Sequence, residues 1–204
     1  KEKIDTLELL GADLRLVGAT SYSDPNHYTH TAEKLAKKFA QREEHGAIWA
    51  RQFDNLANMD IHCRTTGEEI WAQTEGKVDG FICAAGTGGT IAGVSVALKE
   101  HNPGIAIGLA DPAGAALYEY VRSGELTPSE GSSIMEGIGI NHITDNFAHA
   151  QVDVAFRISD EEALPYIFDL LKHEGLCLGG SAGINIAGAV RLAEHLGPGH
   201  TIVT

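Results

Sequence analysis

The stretch Phe81-Ile82-Cys83-Ala84-Ala85-Gly86-Thr87-Gly88-Gly89-Thr90 decides how this sequence folds. An apolar run ends in a loop of glycine and threonine, and residues 91–101, which suit a helix, follow at once. A strand, a glycine turn and a helix N-terminus form an anion site because several backbone N–H groups converge there. Glycine also lets the main chain approach the anion closely, so residues 86–90 are predicted to bind a phosphate group.

On both sides of this loop, short apolar runs alternate with segments of helical periodicity. The predicted strands are residues 14–17, 47–53, 105–110, 152–158, 176–178 and 201–204. A helix is predicted over residues 61–73, and Ser159 begins a capping box that opens another. This alternation predicts an α/β fold in which a parallel-rich, twisted sheet carries helices on both faces.

Composition excludes several classes of protein. The net charge of −13 argues against a nucleic-acid partner, and no apolar run approaches the length of a membrane span. Three cysteines, none of them in a C-x-x-C pair, predict a reduced cytoplasmic protein, and Cys83 and Cys177 lie in apolar runs that suggest core packing. Histidine and cysteine spacings predict no metal site.

Three interpretations of the phosphate compete. A P-loop requires a second glycine at the sixth position from Gly86, where this sequence has Ile91, and then a lysine, which does not follow. A dinucleotide fingerprint fits Gly86 and Gly88, with Asp111 as the ribose-binding acid, but Ile91 also occupies the place of its third glycine. Pyridoxal phosphate needs a phosphate cradle and a partner for its pyridine nitrogen. Ser181, in a second glycine loop, is a candidate for that partner, or alternatively a helix N-cap.

Five motifs in order give a specific resemblance. They are residues 52–58, 61–71, 86–90, 136–139 and 179–183. The chain resembles the cysteine synthase (O-acetylserine sulfhydrylase) and cystathionine β-synthase family of fold-type II pyridoxal-phosphate enzymes, whose fold is like that of the tryptophan synthase β subunit. Leu56 and Glu68 stand where the family has proline.

The resemblance implies roles for individual residues. Residues 86–90 would hold the cofactor phosphate, and Ser181 would meet the pyridine nitrogen. Gln52, Gly137, Ile138 and Gly139 would line the amino-acid side. Residues 1–53 would be the rest of a small N-terminal domain with the crossover, and residues 54–204 the large cofactor-binding domain. The family's S-x-K-x-R motif, which carries the Schiff-base lysine, is absent from this sequence, so no catalytic residue is assigned.

The resemblance also implies a reaction. We expect the C-terminal, larger part of such an enzyme, incomplete at both ends and inactive alone. The intact protein would make cysteine from O-acetylserine and sulfide as a homodimer. Alternatives are cystathionine β-synthase, cysteine desulfhydrase, or a non-catalytic scaffold that binds a partner's C-terminal tail, as cysteine synthases bind that of serine acetyltransferase.

Overall fold

The computed structural model describes residues 2–204, and the chain divides into two compact units, Lys1–Arg51 and Gln52–Thr204. The assignment of residues 1–53 and 54–204 to a small and a large domain stays a prediction.

The first unit contains two helices, α1 (Glu2–Leu9) and α2 (Tyr28–Ala40). The strands predicted over residues 14–17 and 47–53 are wrong, because the structure assigns no strand to either stretch. A β-strand is held by hydrogen bonds to a neighbouring strand, and the described part of this unit contains none for these apolar runs to pair with.

The second unit contains the sheet and six further helices. The strands are β1 (Gly80–Cys83), β2 (Ala106–Pro112), β3 (Val154–Ile158) and β4 (Ile202–Val203). The helices are α3 (Ala57–Ile61), α4 (Glu68–Gln73), α5 (Gly89–His101), α6 (Leu117–Ser123), α7 (Asp160–Glu174) and α8 (Gly180–Leu196). A π-helix, His62–Gly67, joins α3 to α4, and a short 3₁₀ turn, Phe147–His149, precedes β3.

All strand pairings are parallel, in the order β3-β2-β1-β4. In β1, Phe81 and Cys83 join a core cluster with residues of α5, whereas Ile82 between them joins a second cluster with residues of α8. Because alternate residues of a strand point to opposite faces, α5 and α8 lie on opposite faces of the sheet. The predicted α/β class, with a parallel sheet between helices, is confirmed.

Several local predictions can be compared with these elements. Residues 61–73 are helical as expected, although the middle of the stretch is a π-helix. Ser159 caps α7, and its side chain accepts a hydrogen bond from the N–H of Glu162. The strand predicted over residues 176–178 is wrong: these residues form an exposed connection in which Leu176 and Leu178 are not part of the core.

Within residues 2–204, no helix is both long enough and apolar enough to cross a membrane.

Candidate functional site

The predicted phosphate loop, residues 86–90, follows the end of β1 at Cys83, and its last two residues are the first two of α5. Gly88 is the N-cap residue of α5 and has a φ of 84°, in the left-handed region that favours glycine. The first N–H groups of an α-helix have no partner within the helix, and the helix dipole adds positive potential there. The loop can therefore bind an anion without a lysine.

Neighbouring segments enclose this loop so tightly that only glycine fits at several positions. A Cβ atom on Gly86 would collide with the carbonyl oxygen of Gly137. One on Gly88 would lie 2.6 Å from the Cβ of Phe147, and one on Gly89 would collide with the side chain of Asn58. The close packing therefore requires glycine at these three positions.

The side chains of Asn58 and His62 contact the hydroxyl groups of the two threonines in the loop. The Oγ1 atom of Thr87 accepts a hydrogen bond from Asn58 Nδ2 at 2.9 Å, and the N–H of Gly89 also points to it at 3.4 Å. These bonds use the acceptor capacity of the Thr87 hydroxyl and leave its proton to donate to a ligand. The Oγ1 atom of Thr90 lies 3.2 Å from His62 Nε2, and Nδ1 of the same ring lies 2.8 Å from Thr66 Oγ1.

The predicted amino-acid side lies next to the phosphate loop. The N–H of Gly139 donates to the carbonyl of Ala85 at 2.9 Å, and the Gly137 carbonyl is beside Gly86. Ile138 between them is half-buried. The structure therefore brings residues 137–139 together with residues 86–90.

Gln52 reaches the same region through its backbone. Its side chain is exposed, and its carbonyl accepts hydrogen bonds from Asn58 Nδ2 at 3.1 Å and from Asn146 Nδ2 at 3.2 Å. Since Asn58 also donates to Thr87, one carboxamide connects Gln52 to the phosphate loop.

Ser181 is the second residue of α8, and Gly179 is the N-cap residue, with no side-chain cap. The alternative role of Ser181 as the N-cap is therefore wrong. Within residues 2–204 the Ser181 hydroxyl has no hydrogen-bond partner, which leaves it available to a ligand. One helical turn later, Asn185 Oδ1 accepts a hydrogen bond from the N–H of Ala84 at 2.7 Å. This bond ties the start of α8 to the start of the phosphate loop.

Asp111 is not available to a ribose. The residue is fully buried, and its Oδ2 atom accepts a hydrogen bond from the N–H of Tyr118 at 2.8 Å, at the start of α6. Burial raises the pKa of the Asp111 carboxyl to about 7, although hydrogen bonds from the backbone of Tyr118 and Leu117 act in the opposite direction. The dinucleotide interpretation thus loses its acidic residue, because this carboxyl group caps a helix instead.

The cysteines occupy three different environments. Cys83 is buried at the end of β1, and burial raises the pKa of its thiol to about 12. Burial also raises the pKa of the half-buried Cys63 thiol, with nearby acidic groups adding to the effect. Cys177 is exposed, so its predicted place in the core is wrong. Across the described residues, no group of three or more histidine, cysteine or acidic residues is arranged to hold a metal ion.

This donor set fits the phosphate of a pyridoxal cofactor. It consists of backbone N–H groups at a helix start and two hydroxyl groups, and a side chain at Gly86, Gly88 or Gly89 would collide with the segments that enclose the loop. An unpartnered hydroxyl at Ser181 can donate a hydrogen bond to a neutral pyridine nitrogen.

Sequence reasoning missed the residues that hold the site together. Asn146 carried no signal and Asn185 only its spacing from Ser181, because each acts on a segment about a hundred residues away in the chain. Asn58 lies in the motif of residues 52–58 and His62 in that of residues 61–71, but neither residue was assigned a role. The spacing of Ser181 and Asn185, one helical turn apart, was the single signal available.

The chain matches one protein family and is similar to several known enzymes. Residues 1–204 match the family model described as pyridoxal-phosphate dependent enzyme. The chain is 45% identical over 213 residues to a cysteine synthase of Dictyostelium discoideum, with all of this chain and 55% of the relative covered. It is 47% identical over 206 residues to cysteine synthase 1 of Neurospora crassa, covering 99% of this chain and 54% of the relative.

A cystathionine beta-synthase of Oryctolagus cuniculus is more distant, at 36% identity over 205 residues, with 99% of this chain and 36% of the relative covered. The chain thus spans about half the length of the cysteine synthases that it matches.

Proposed function

Because the chain belongs to the family of pyridoxal-phosphate dependent enzymes, we propose that residues 86–90 hold the cofactor phosphate and that Ser181 faces the pyridine nitrogen. The observation that carries this proposal is Gly88, a left-handed glycine that caps α5 where a bulkier residue would strike Phe147. Such a helix start holds a phosphate dianion by N–H groups and dipole, with no lysine required.

The reaction proposed for the whole protein is formation of L-cysteine from O-acetylserine and sulfide, with release of acetate. The similarity to two cysteine synthases at 45% and 47% identity supports this choice over cystathionine β-synthase, whose representative is 36% identical. The bound cofactor would withdraw electrons from the amino acid so that its β-substituent can leave.

The chain's own residues would assist in distinct ways. Ser181 would offer a neutral hydroxyl at the ring nitrogen. A carboxylate in that place would keep the nitrogen protonated, whereas a hydroxyl would not. An unprotonated ring favours prompt loss of the leaving group. Gln52 and residues 137–139 would line the space for the amino acid beside the phosphate loop. No residue here is proposed to abstract the substrate's proton, because the sequence has no S-x-K-x-R motif.

We propose that these 204 residues alone do not turn over O-acetylserine. Cysteine production by the purified chain with pyridoxal phosphate, O-acetylserine and sulfide tests this directly. A robust rate would show that one of the lysines in this sequence serves as the anchor.

Binding is tested separately with pyridoxine 5′-phosphate, which has no aldehyde and so does not label surface lysines. Calorimetry should show saturable binding of this compound, weaker binding of inorganic phosphate and none of pyridoxine. Tight binding of NAD, or no binding of pyridoxine 5′-phosphate, would overturn the proposed site.

Three finer assignments are also proposals. The resemblance to cysteine synthases supports a homodimer and a cleft that accepts the C-terminal tail of serine acetyltransferase. The free cysteines, among them the exposed Cys177, support a reducing compartment such as the cytoplasm.

A further inference from the structure

Asn146 is a buried polar residue whose carboxamide is fully used. Its Oδ1 atom accepts a hydrogen bond from the N–H of Met59 at 3.1 Å. Its Nδ2 atom donates to the carbonyls of Gln52 at 3.2 Å and Phe53 at 2.6 Å. The side chain is completely buried, and all three partners lie within residues 52–59. One carboxamide therefore holds both ends of that segment.

The residues next to Asn146 hold the phosphate loop. Thr144, also completely buried, donates from Oγ1 to the carbonyl of Thr87 at 2.7 Å and accepts from the N–H of Phe147 at 2.9 Å. A Cβ atom on Gly88 would lie 2.8 Å from the backbone nitrogen of Phe147. Residues 144–147 thus lie between the phosphate loop and the segment that contains Gln52.

Asn58 completes the connection. Its Nδ2 atom donates both to the Gln52 carbonyl and to Thr87 Oγ1. The Gln52 segment, the phosphate loop and residues 144–147 are consequently bonded to one another in pairs. A shift of the Gln52 carbonyl would move Asn58, and with it the hydroxyl of Thr87.

We infer that Asn146 is a positioning residue that fixes the Gln52 segment against the phosphate loop and so sets the affinity of the site for a phosphorylated ligand. The inference rests on the proposed function of residues 86–90. The Asn146 side chain is enclosed by protein and acts through Gln52, Asn58 and Thr87.

The chemistry of the site makes one substitution diagnostic. Asn146→Asp has nearly the same shape, but at neutral pH it places a carboxylate oxygen against the carbonyls of Gln52 and Phe53. An acceptor facing two acceptors is unfavourable, so the segment should move away. Burial and these carbonyls disfavour the charged carboxylate, and its protonated form regains an O–H donor for one carbonyl. Low pH should therefore rescue the aspartate variant.

The test measures dissociation constants of pyridoxine 5′-phosphate for the 204-residue chain and its variants between about pH 5 and pH 8. Each variant is compared with the unsubstituted chain at the same pH, which removes the ligand's own titration from the ratio. At about pH 8, Asn146→Asp should bind the ligand about tenfold more weakly than the unsubstituted chain does. The ratio of the two dissociation constants should return toward one at about pH 5. Asn146→Ala should bind weakly across the whole range.

Asn102→Asp is the matched control. Asn102 is exposed, and its Oδ1 atom accepts a hydrogen bond from Gly104 N–H at the far end of α5, a bond that aspartate also makes. The dissociation constant of this control should equal that of the unsubstituted chain at every pH. Thr144→Val supplies a second variant if Asn146→Ala does not fold: it loses the bond to Thr87 and should weaken binding without dependence on pH.

Unchanged affinity in the Asn146 variants, while the unsubstituted chain binds, would overturn this inference alone. A ratio for Asn146→Asp that does not vary with pH would also overturn it, because a purely packing role has no titrating donor. Failure of the unsubstituted chain to bind pyridoxine 5′-phosphate would overturn the proposed function, and this inference with it.

Discussion

The N–H of Ala84 donates to the Oδ1 atom of Asn185 over 2.7 Å and joins residues 101 positions apart in the chain. Ala84 follows β1 and leads into the phosphate loop, whereas Asn185 lies one turn beyond Ser181 in α8. This single bond sets the second glycine loop in register with the first. Under the proposed function, it helps to set the position of Ser181 relative to residues 86–90.

Replacement of Asn185 should separate these two loops. Asn185→Leu leaves the N–H of Ala84 without its acceptor, and we expect a loss of about 1–3 kcal/mol in the free energy of unfolding, measured in urea. Asn185→Asp keeps the acceptor and should lose less. Equal stability of the leucine variant and the unsubstituted chain would show that the bond contributes nothing.

Gly88 and Gly124 form a matched pair for testing the phosphate loop. Both have positive φ, 84° and 79°, but a Cβ atom on Gly124 meets nothing within 4 Å whereas one on Gly88 strikes Phe147. Gly124→Ala should cost about 1–3 kcal/mol of backbone strain and leave ligand binding intact. Gly88→Ala should cost more and abolish binding of pyridoxine 5′-phosphate by calorimetry. Normal binding by this variant would place the phosphate elsewhere.

Replacement of Ser181 should weaken binding of the pyridine ring without changing binding of the phosphate group. Ser181→Ala removes one neutral hydrogen bond, so affinity for pyridoxine 5′-phosphate should fall by about 0.5–1.5 kcal/mol. Affinity for inorganic phosphate, which has no ring, should not change in the same variant. An equal loss for both ligands would indicate that the substitution disturbs the start of α8 instead.

The buried Asp111 should make stability depend on pH. Its folded-state pKa is raised from 3.8 to about 7, so the folded chain binds the proton more strongly than the unfolded chain. The free energy of unfolding should therefore fall as pH rises from about 4 to about 7 and level off above that range. Each unit by which folding raises the pKa corresponds to about 1.4 kcal/mol in the free energy of unfolding.

Asp111→Asn removes this titration, and its stability relative to the unsubstituted chain should improve steadily across the same interval. Asp169→Asn removes one carboxyl group at an exposed position on α7 and serves as the control. Parallel stability curves for the Asp111 variant and the unsubstituted chain would contradict the account of the buried carboxyl.

The cysteines should differ sharply in reactivity. Cys177 is exposed, whereas Cys83 is buried with a thiol pKa of about 12, and the thiolate is the reactive form. Iodoacetamide at neutral pH should label Cys177 first and Cys83 only after unfolding, as peptide mass spectrometry can show. Rapid labelling of Cys83 in the folded chain would mean that β1 is accessible to solvent.

The sequence predicted the sheet well where an apolar run ends in turn residues, as at β1, β2 and β3. It failed over residues 14–17, 47–53 and 176–178, because an apolar run becomes a strand only if another strand lies beside it. Residues 86–90 stood out because glycine and threonine spacing is local. Asn146 and Asn185 did not, since their partners become neighbours only once the chain has folded.

Residues 86–90 are proposed to hold the phosphate of a pyridoxal cofactor by their backbone N–H groups. Amide NMR spectra of the isotope-labelled chain, titrated with pyridoxine 5′-phosphate and separately with pyridoxine, test this most directly. We predict that the phosphorylated compound shifts the amide resonances of residues 86–90 in a saturable way, and that pyridoxine does not. Shifts concentrated elsewhere, or equal shifts with both compounds, would contradict the claim.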